Sequence, residues 1–253
     1  MTTALVTGAS RGIGRAIAVA LASRGDRVAV HYGSNLADAE ETRRLLPGDG
    51  HCIVQGALEE PAEVAALVDA VAAELGSIDV LVNNAAVAPT AKNRHSIEDT
   101  SYLDWLSAWR QMVDVTLTGA ANMTYCVARH MIEHGIEGRI VNIGSRGAFR
   151  GEPDYPAYAA AKAGLHAFGQ SMGIALAPHG ISVTSVAPGF ISTERQASKL
   201  AGPDGPTVRS QSPFGRVGTA EEVAAAVLYL SSPDAVWASG AILDLNGASH
   251  LRS

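Results

Sequence analysis

Tyr158 and Lys162 stand four residues apart in YPAYAAAKAGL, residues 155–165, an alanine-rich run of helical character. That spacing puts both side chains on one helix face. An ammonium about 4 Å from a phenolate, at an effective dielectric near 20, is worth roughly 4 kcal/mol. At ~1.4 kcal/mol per pK unit this carries a tyrosine down from about 10 by about three units, toward the range in which a general acid or base works. On an exposed helix face the same pair would be a marginal contact, so the surrounding chain has to decide. Ser145 lies thirteen residues before Tyr158, at the end of the strand-like run RIVNIGS. A hydroxyl there can hydrogen-bond a carbonyl oxygen as negative charge develops; taken alone, a strand-end serine also serves as a turn or cap residue.

The elements that must position these groups follow from periodicity. Short β-branched runs read as strands at residues 4–7, 27–31, 52–55, 80–83, 138–143, 182–187 and 241–244. Longer helical patterns fit between them at about 12–23, 36–46, 61–75, 102–134, 156–177 and 220–230. This βαβ order, with short continuous apolar strands, predicts an α/β fold: one doubly wound Rossmann-type domain over residues 1–253, with an about seven-stranded parallel sheet covered by helices on both faces. In such a sheet ligands bind beyond the carboxyl ends of the strands, where strand order reverses. Ser145 falls at such an end.

The first strand runs into TGASRGIGRA, which sets Gly8, Gly12 and Gly14 where the chain turns into a helix. Glycine permits close backbone approach there, and the free N–H groups of the helix N-terminus suit a pyrophosphate. A glycine turn alone is a weak signal; its place at the start of a βαβ unit makes it a nucleotide site. The second strand, RVAVHY, ends in His31 and Tyr32, followed by Gly33, Ser34 and Asn35, with no carboxylate for a ribose 2′-hydroxyl. With Arg11 inside the glycine turn and nothing to repel a 2′-phosphate, NADP(H) is expected over NAD(H).

Composition narrows the alternatives. The 253 residues carry a net charge of −6 with 47% hydrophobic content, and the basic residues are scattered, so no field for gripping nucleic acid is present. Only Cys52 and Cys126 occur, without metal-ligand spacing, which fits a reducing, cytoplasmic location. The N-terminus shows no secretory pattern, and no apolar run approaches the roughly 18 residues of a membrane span. His130 and His134 lie at i,i+4, but MIE between them lacks the HExxH order and no third ligand is apparent, so no metal is expected.

TGASRGIG, NNAA after the fourth strand, Ser145, Tyr158-x-x-x-Lys162, PGFIST after the sixth strand and GRVGTAEEVAAAVLYLSS near the end occur in order along the whole chain. Together they resemble the short-chain dehydrogenase/reductase family, most closely its 3-oxoacyl-carrier-protein-reductase-like branch. The resemblance implies that Tyr158 is the proton donor in carbonyl reduction and the base in alcohol oxidation, that Lys162 binds the nicotinamide ribose and lowers the tyrosine pKa, and that Ser145 polarises the carbonyl. It implies cofactor contacts from Gly8, Ser10, Arg11, Gly12, Ile13 and Gly14. Further contacts come from Tyr32, Gly33, Ser34, Ala57 and Leu58, from Asn84, Ala85 and Ala86, and from Pro188, Gly189, Ile191 and Thr193. Asn83 would secure the strand edge, and Tyr155 would line the pocket mouth. A homotetramer or homodimer, joined through the long helices and the last strand, and a small carbonyl or alcohol substrate are also implied.

Four departures stand out. Thr116 in DVTLTG replaces the asparagine that holds a proton-relay water, and its hydroxyl cannot supply both an amide donor and a carbonyl acceptor. Ala86 replaces a glycine beside the cofactor, Ala57 an aspartate near the adenine, and Asn246 and Ala248 an aspartate and a glycine in DLNGAS. These leave open a second reading, a dinucleotide-binding sensor or scaffold with little turnover. A cofactor-retaining isomerase or dehydratase is a third, disfavoured by the compact length. Extra chain at AKNRHSIEDTSYLDW is either a rim to the substrate entrance or a surface loop. Residues 190–215 form a candidate lid, broken at Gly202, Pro203, Gly205 and Pro206 and carrying Arg195, Lys199 and Arg209. In SRGAFRGEPDY, Arg146, Arg150, Glu152 and Asp154 make a polar substrate conceivable.

Overall fold

The computed structural model describes residues 2–252. Strand β1 (Thr3–Val6) is followed by α1 (Gly12–Ser23), β2 (Arg27–Tyr32), α2 (Leu36–Leu45), β3 (Cys52–Gln55), α3 (Pro61–Leu75) and β4 (Val80–Asn83). Then come α4 (Tyr102–Val113), α5 (Gly119–Glu133), β5 (Arg139–Ile143), the short α6 (Gly147–Arg150), α7 (Pro156–Leu176) and β6 (Ser182–Pro188). The two-residue β7 (Ile191–Ser192), the short α8 (Ala197–Ala201) and α9 (Gly205–Ser210), the two-residue β8 (Gly218–Thr219), α10 (Ala220–Leu230) and β9 (Ile242–Leu245) complete the chain. Seven strands form one parallel sheet in the order β3-β2-β1-β4-β5-β6-β9, and β7 pairs with β8 apart from it. Strand order reverses between β1 and β4, which opens a crevice above their carboxyl ends.

Alternation along the strands builds a core on each face. Ala4 and Val6 of β1 point toward α1 and α10, where they meet Ile17, Leu21, Val223 and Val227. Leu5, between them, faces the other way and joins Val64 and Leu67 of α3 and Met123, Val127 and Met131 of α5. Each face is closed by helices, as βαβ crossovers require.

One predicted element is corrected. The helical pattern over 102–134 is interrupted: α4 and α5 are separated by a π-helical turn over Asp114–Thr118. Such turns insert a residue into the ladder and re-aim side chains, commonly at functional sites. Strand ends elsewhere move by one residue, α8 and α9 are the short helical pieces on either side of the break at Gly202, and α6 is too short for a periodic signal. No helix among the described residues is long and apolar enough to cross a membrane.

Candidate active site

The amides of α1 are the first element of the site. Gly8 and Gly12 hold φ of +62° and +58°, so the chain turns over the five residues between β1 and α1. Among the described residues the N–H groups of Gly12, Ile13 and Gly14 have no protein acceptor. They face the crevice together with the positive end of the helix dipole. Asn84 clamps the turn from the neighbouring strand end: its Nδ2 donates to the carbonyls of Thr7 at 2.9 Å and Gly8 at 3.0 Å. His31 braces it from the other side. Its Nδ1 accepts from Gly8 N at 3.0 Å, which leaves Nε2–H to donate to Gly56 O at 3.0 Å, and burial pushes its pKa down. The ring is therefore neutral and ties β1, β2 and β3 together at one edge. Its place at the strand end was legible, its hydrogen bonds were not.

Beyond β5, Gly144 leaves room that only a glycine can leave: a Cβ there would come within 2.0 Å of the His166 ring. That ring stacks on Phe149 at 5.2 Å, and its Nε2 accepts weakly from Ser145 N at 3.5 Å. Burial, then the charge of Lys162, hold His166 at a pKa of about 4. Ser145 is fixed further by Gly147 N, which donates to its Oγ at 3.0 Å.

Helix α7 carries Tyr158 and Lys162. Its N-terminus is capped from the extra chain before α4: Ala157 N donates to His95 Nε2 at 3.1 Å, and His95 packs edge-on against Trp105 and Tyr155. His95 N also donates to Asp154 O at 3.0 Å, and Arg94 pairs with the Asp154 carboxylate at 2.9 Å. The extra segment therefore fixes the entry to α7. Tyr155 donates to Thr90 O at 3.2 Å, at the cavity mouth.

The electrostatics differ from the simple ammonium–phenolate pair. Lys162, 2% exposed, donates from Nζ to Ile143 O at 2.5 Å, and burial brings its pKa down to about 7. Burial is also the largest influence on Tyr158 and pushes the phenol above its usual value; Glu152 adds to this, while hydrogen bonding with Ser145 and the charge of Arg195 oppose it. The downward pull expected from Lys162 is not among the influences on the phenol.

Ser145, Tyr158 and Lys162 line one cavity of about 1220 Å³, and so do Gly8, Ser10, Arg11, Gly12, Ile13, Gly14, Gly33, Ser34, Ala57, Leu58, Asn84, Ala85, Ala86, Pro188, Gly189, Ile191 and Thr193. Two anticipated residues stand outside its lining. Tyr32 is buried with Val28 and Val30 on the α1 side of β2, and its hydroxyl donates to Gln55 Oε1 at 3.3 Å. Thr116 sits fully buried in the π turn, its Oγ1 accepting from Val87 N at 3.3 Å. Asn83 is likewise internal and donates to Thr124 Oγ1 and Asn142 Oδ1 at 2.9 Å each. Ala248, where a glycine was expected, holds a φ of +57°, a left-handed conformation that costs a non-glycine residue roughly 1–2 kcal/mol. Arg146 and Arg150 also line the cavity, and Arg146 is buried at 6% exposure rather than facing water. The His130 and His134 rings lie 4.3 Å apart, tilted by 33°, at the C-terminal end of α5.

The parallel sheet, the crevice at its switch point and a serine, tyrosine and lysine grouped beside the glycine turn define an α/β oxidoreductase that acts on a CH–OH or C=O group. The chain belongs to the short-chain dehydrogenase/reductase family. The family model described as enoyl-(acyl carrier protein) reductase, of the short-chain alcohol dehydrogenase type, matches residues 8–250. The chain is 36% identical over 251 residues to the 3-oxoacyl-[acyl-carrier-protein] reductase FabG of Escherichia coli, covering 98% of this chain and 97% of the relative. It is 38% identical over 246 residues to the cis-4-hydroxycyclohexanecarboxylate dehydrogenase of Sinomonas cyclohexanicum, with 96% and 94% covered. Among solved structures it resembles acetoin dehydrogenase YohF from Salmonella typhimurium, with a TM-score of 0.85, 32% identity and coverage of 97% and 94%.

Proposed function

We propose that the chain is an NADP(H)-dependent oxidoreductase that transfers hydride between the nicotinamide and a small carbonyl or secondary alcohol substrate, with Tyr158 as general acid and base. The observation that carries this reading is the grouping of Ser145, Tyr158 and Lys162 in the same cavity as the free amides of Gly12, Ile13 and Gly14. A dinucleotide fits the residues present: the amides suit its pyrophosphate, and a Cβ at Gly33 would meet nothing within 4 Å beyond the end of β2. Arg11 is exposed and unpaired among the described residues, and no acid follows β2, so a 2′-phosphate meets attraction and no repulsion. When bound, the nicotinamide supplies or accepts the hydride. In reduction, the Tyr158 hydroxyl gives its proton to the substrate oxygen while the Ser145 hydroxyl donates a hydrogen bond to the same oxygen. Lys162, with a pKa of about 7, changes protonation at working pH and is suited to resupplying that proton.

Residues 190–215 supply the lid, with α8 and α9 parted at Gly202. We assign a cytoplasmic homodimer or homotetramer, supported by the fully exposed Trp237 and by Tyr125 and Ile174, apolar side chains open to a partner; a monomeric mass in light scattering contradicts this. The relatives' names point to an oxo or hydroxyl carbon in different surroundings, so the substrate is fixed by the cavity wall. Titration should show NADPH bound at least about tenfold more tightly than NADH, since one charge-assisted hydrogen bond is worth about 1.5–3 kcal/mol. Equal affinity would refute the 2′-phosphate assignment to Arg11. The burial of Thr116 outside the cavity favours one alternative, a dinucleotide-binding sensor, which would bind NADPH tightly and turn over no carbonyl.

A further inference from the structure

We propose that Arg146 and Arg150 form a receptor for an anionic group, a carboxylate, on the substrate, and that Gln211 of the lid region holds the site until that group replaces it. The inference rests on the oxidoreductase reading above and names the substrate class of that site.

Arg146 follows Ser145 directly and is buried, yet among the described residues it has no ion pair. Its guanidinium is satisfied by neutral oxygens: Nη1 donates to Ser249 Oγ at 2.5 Å and Nη2 to Gln211 Oε1 at 2.8 Å. Arg150, one turn further along α6, donates from Nη1 to the same Gln211 oxygen at 3.4 Å. Two guanidinium groups thus converge on one amide oxygen just past the end of α9, beside Ser145 and on the wall of the cavity that holds Tyr158. Burial lowers the pKa of Arg146, and Arg150 lowers it further, with Glu152 the acid that opposes them. Glu152 lies 3.7 Å from Arg150 Nε and makes no ion pair with Arg146.

A buried cation that rests on neutral acceptors is undercompensated. An incoming carboxylate offers two charged acceptors in the planar geometry that guanidinium groups match. The amide oxygen of Gln211 occupies the place where such an acceptor would sit. The wider wall agrees: seven lysine and arginine side chains against four carboxylates line this cavity, on a chain whose net charge is −6. Arg11 belongs to the glycine turn at the adenosine end, whereas Arg146 and Arg150 stand at the Ser145 end, where the substrate oxygen is placed. Arg94 is already engaged with Asp154 and Asp99.

The test compares keto acids with their methyl esters as substrates, and separately titrates benzoate and benzamide by calorimetry into the NADP-saturated full chain. The unaltered protein should favour acid over ester in kcat/KM by about tenfold or more, the scale of one charge-assisted hydrogen bond. That ratio should collapse toward one in Arg150→Gln, mainly through KM for the acid. It should also collapse in Gln211→Glu, which sets a fixed carboxylate between the guanidinium groups without removing either. Benzoate should bind the unaltered protein and lose affinity by about tenfold in both variants, while benzamide does not compete. A wild-type ratio of one or less, a ratio unchanged in both variants, or equal binding of benzoate and benzamide overturns the proposal. Absence of all turnover, with benzoate still bound through Arg150, would overturn the oxidoreductase reading and leave the anion receptor standing.

Discussion

Tyr158→Phe should lower kcat for carbonyl reduction by about 10²–10⁴-fold, the span attributed to a positioned general acid, while leaving NADPH affinity within about twofold of the unaltered protein. The phenol ring is held by α7, whose first turn is capped by His95, so removing one oxygen leaves the helix in place. The lost atom is the one that faces Ser145. Because burial holds the phenol above its usual pKa, the group is protonated at pH 7 and enters reduction as an acid. Alcohol oxidation needs the phenolate and should therefore rise with pH over the same range, above the usual tyrosine value, in which reduction falls. A Phe variant with undiminished kcat would remove Tyr158 from the chemistry and move the proton to another donor.

Gly14→Ala should weaken NADPH binding by about a hundredfold and destabilise the fold by about 1–3 kcal/mol, as over-packed sites do. A Cβ at this position would come within 2.3 Å of the Gly8 carbonyl oxygen and 2.5 Å of Asn84 Nδ2. The first is main chain and cannot rotate away. The second is the amide that clamps Thr7 and Gly8, so relief of the clash pulls the clamp off the turn. The amides of Gly12, Ile13 and Gly14 then lose their common direction. Titration calorimetry and thermal unfolding read the two effects separately; unchanged NADPH affinity in a folded variant would dissociate the glycine turn from cofactor binding.

What could be read in the sequence divides along physical lines. Strand and helix order and the seven-stranded parallel sheet followed from periodicity, because alternating faces and helical stripes are local signals. The π turn around Thr116 did not, since one additional residue in a turn leaves the apolar pattern over 102–134 nearly intact. Tyr32 was expected at the cofactor from the family resemblance. The period of two along β2 carries the contrary signal, for Val28, Val30 and Tyr32 share a face and His31 takes the other. The ammonium–phenolate argument assumed that i,i+4 neighbours face each other; here the lysine turns to Ile143 O instead. Arg146 was legible as one charge of a polar stretch but not as a buried, anchored one, because the oxygens that hold it come from Gln211 and Ser249, 65 and 103 residues away. The capping of α7 by His95 is equally non-local, 62 residues apart in the chain.

Transfer of label from NADPH carrying deuterium at the hydride position of the nicotinamide tests the central claim most directly. With a keto acid as acceptor, the alcohol product should carry one deuterium on the new carbinol carbon in the unaltered protein and form only in trace with Tyr158→Phe. An alcohol formed without deuterium, or tight NADPH binding with no alcohol from any carbonyl offered, would contradict hydride transfer at this site.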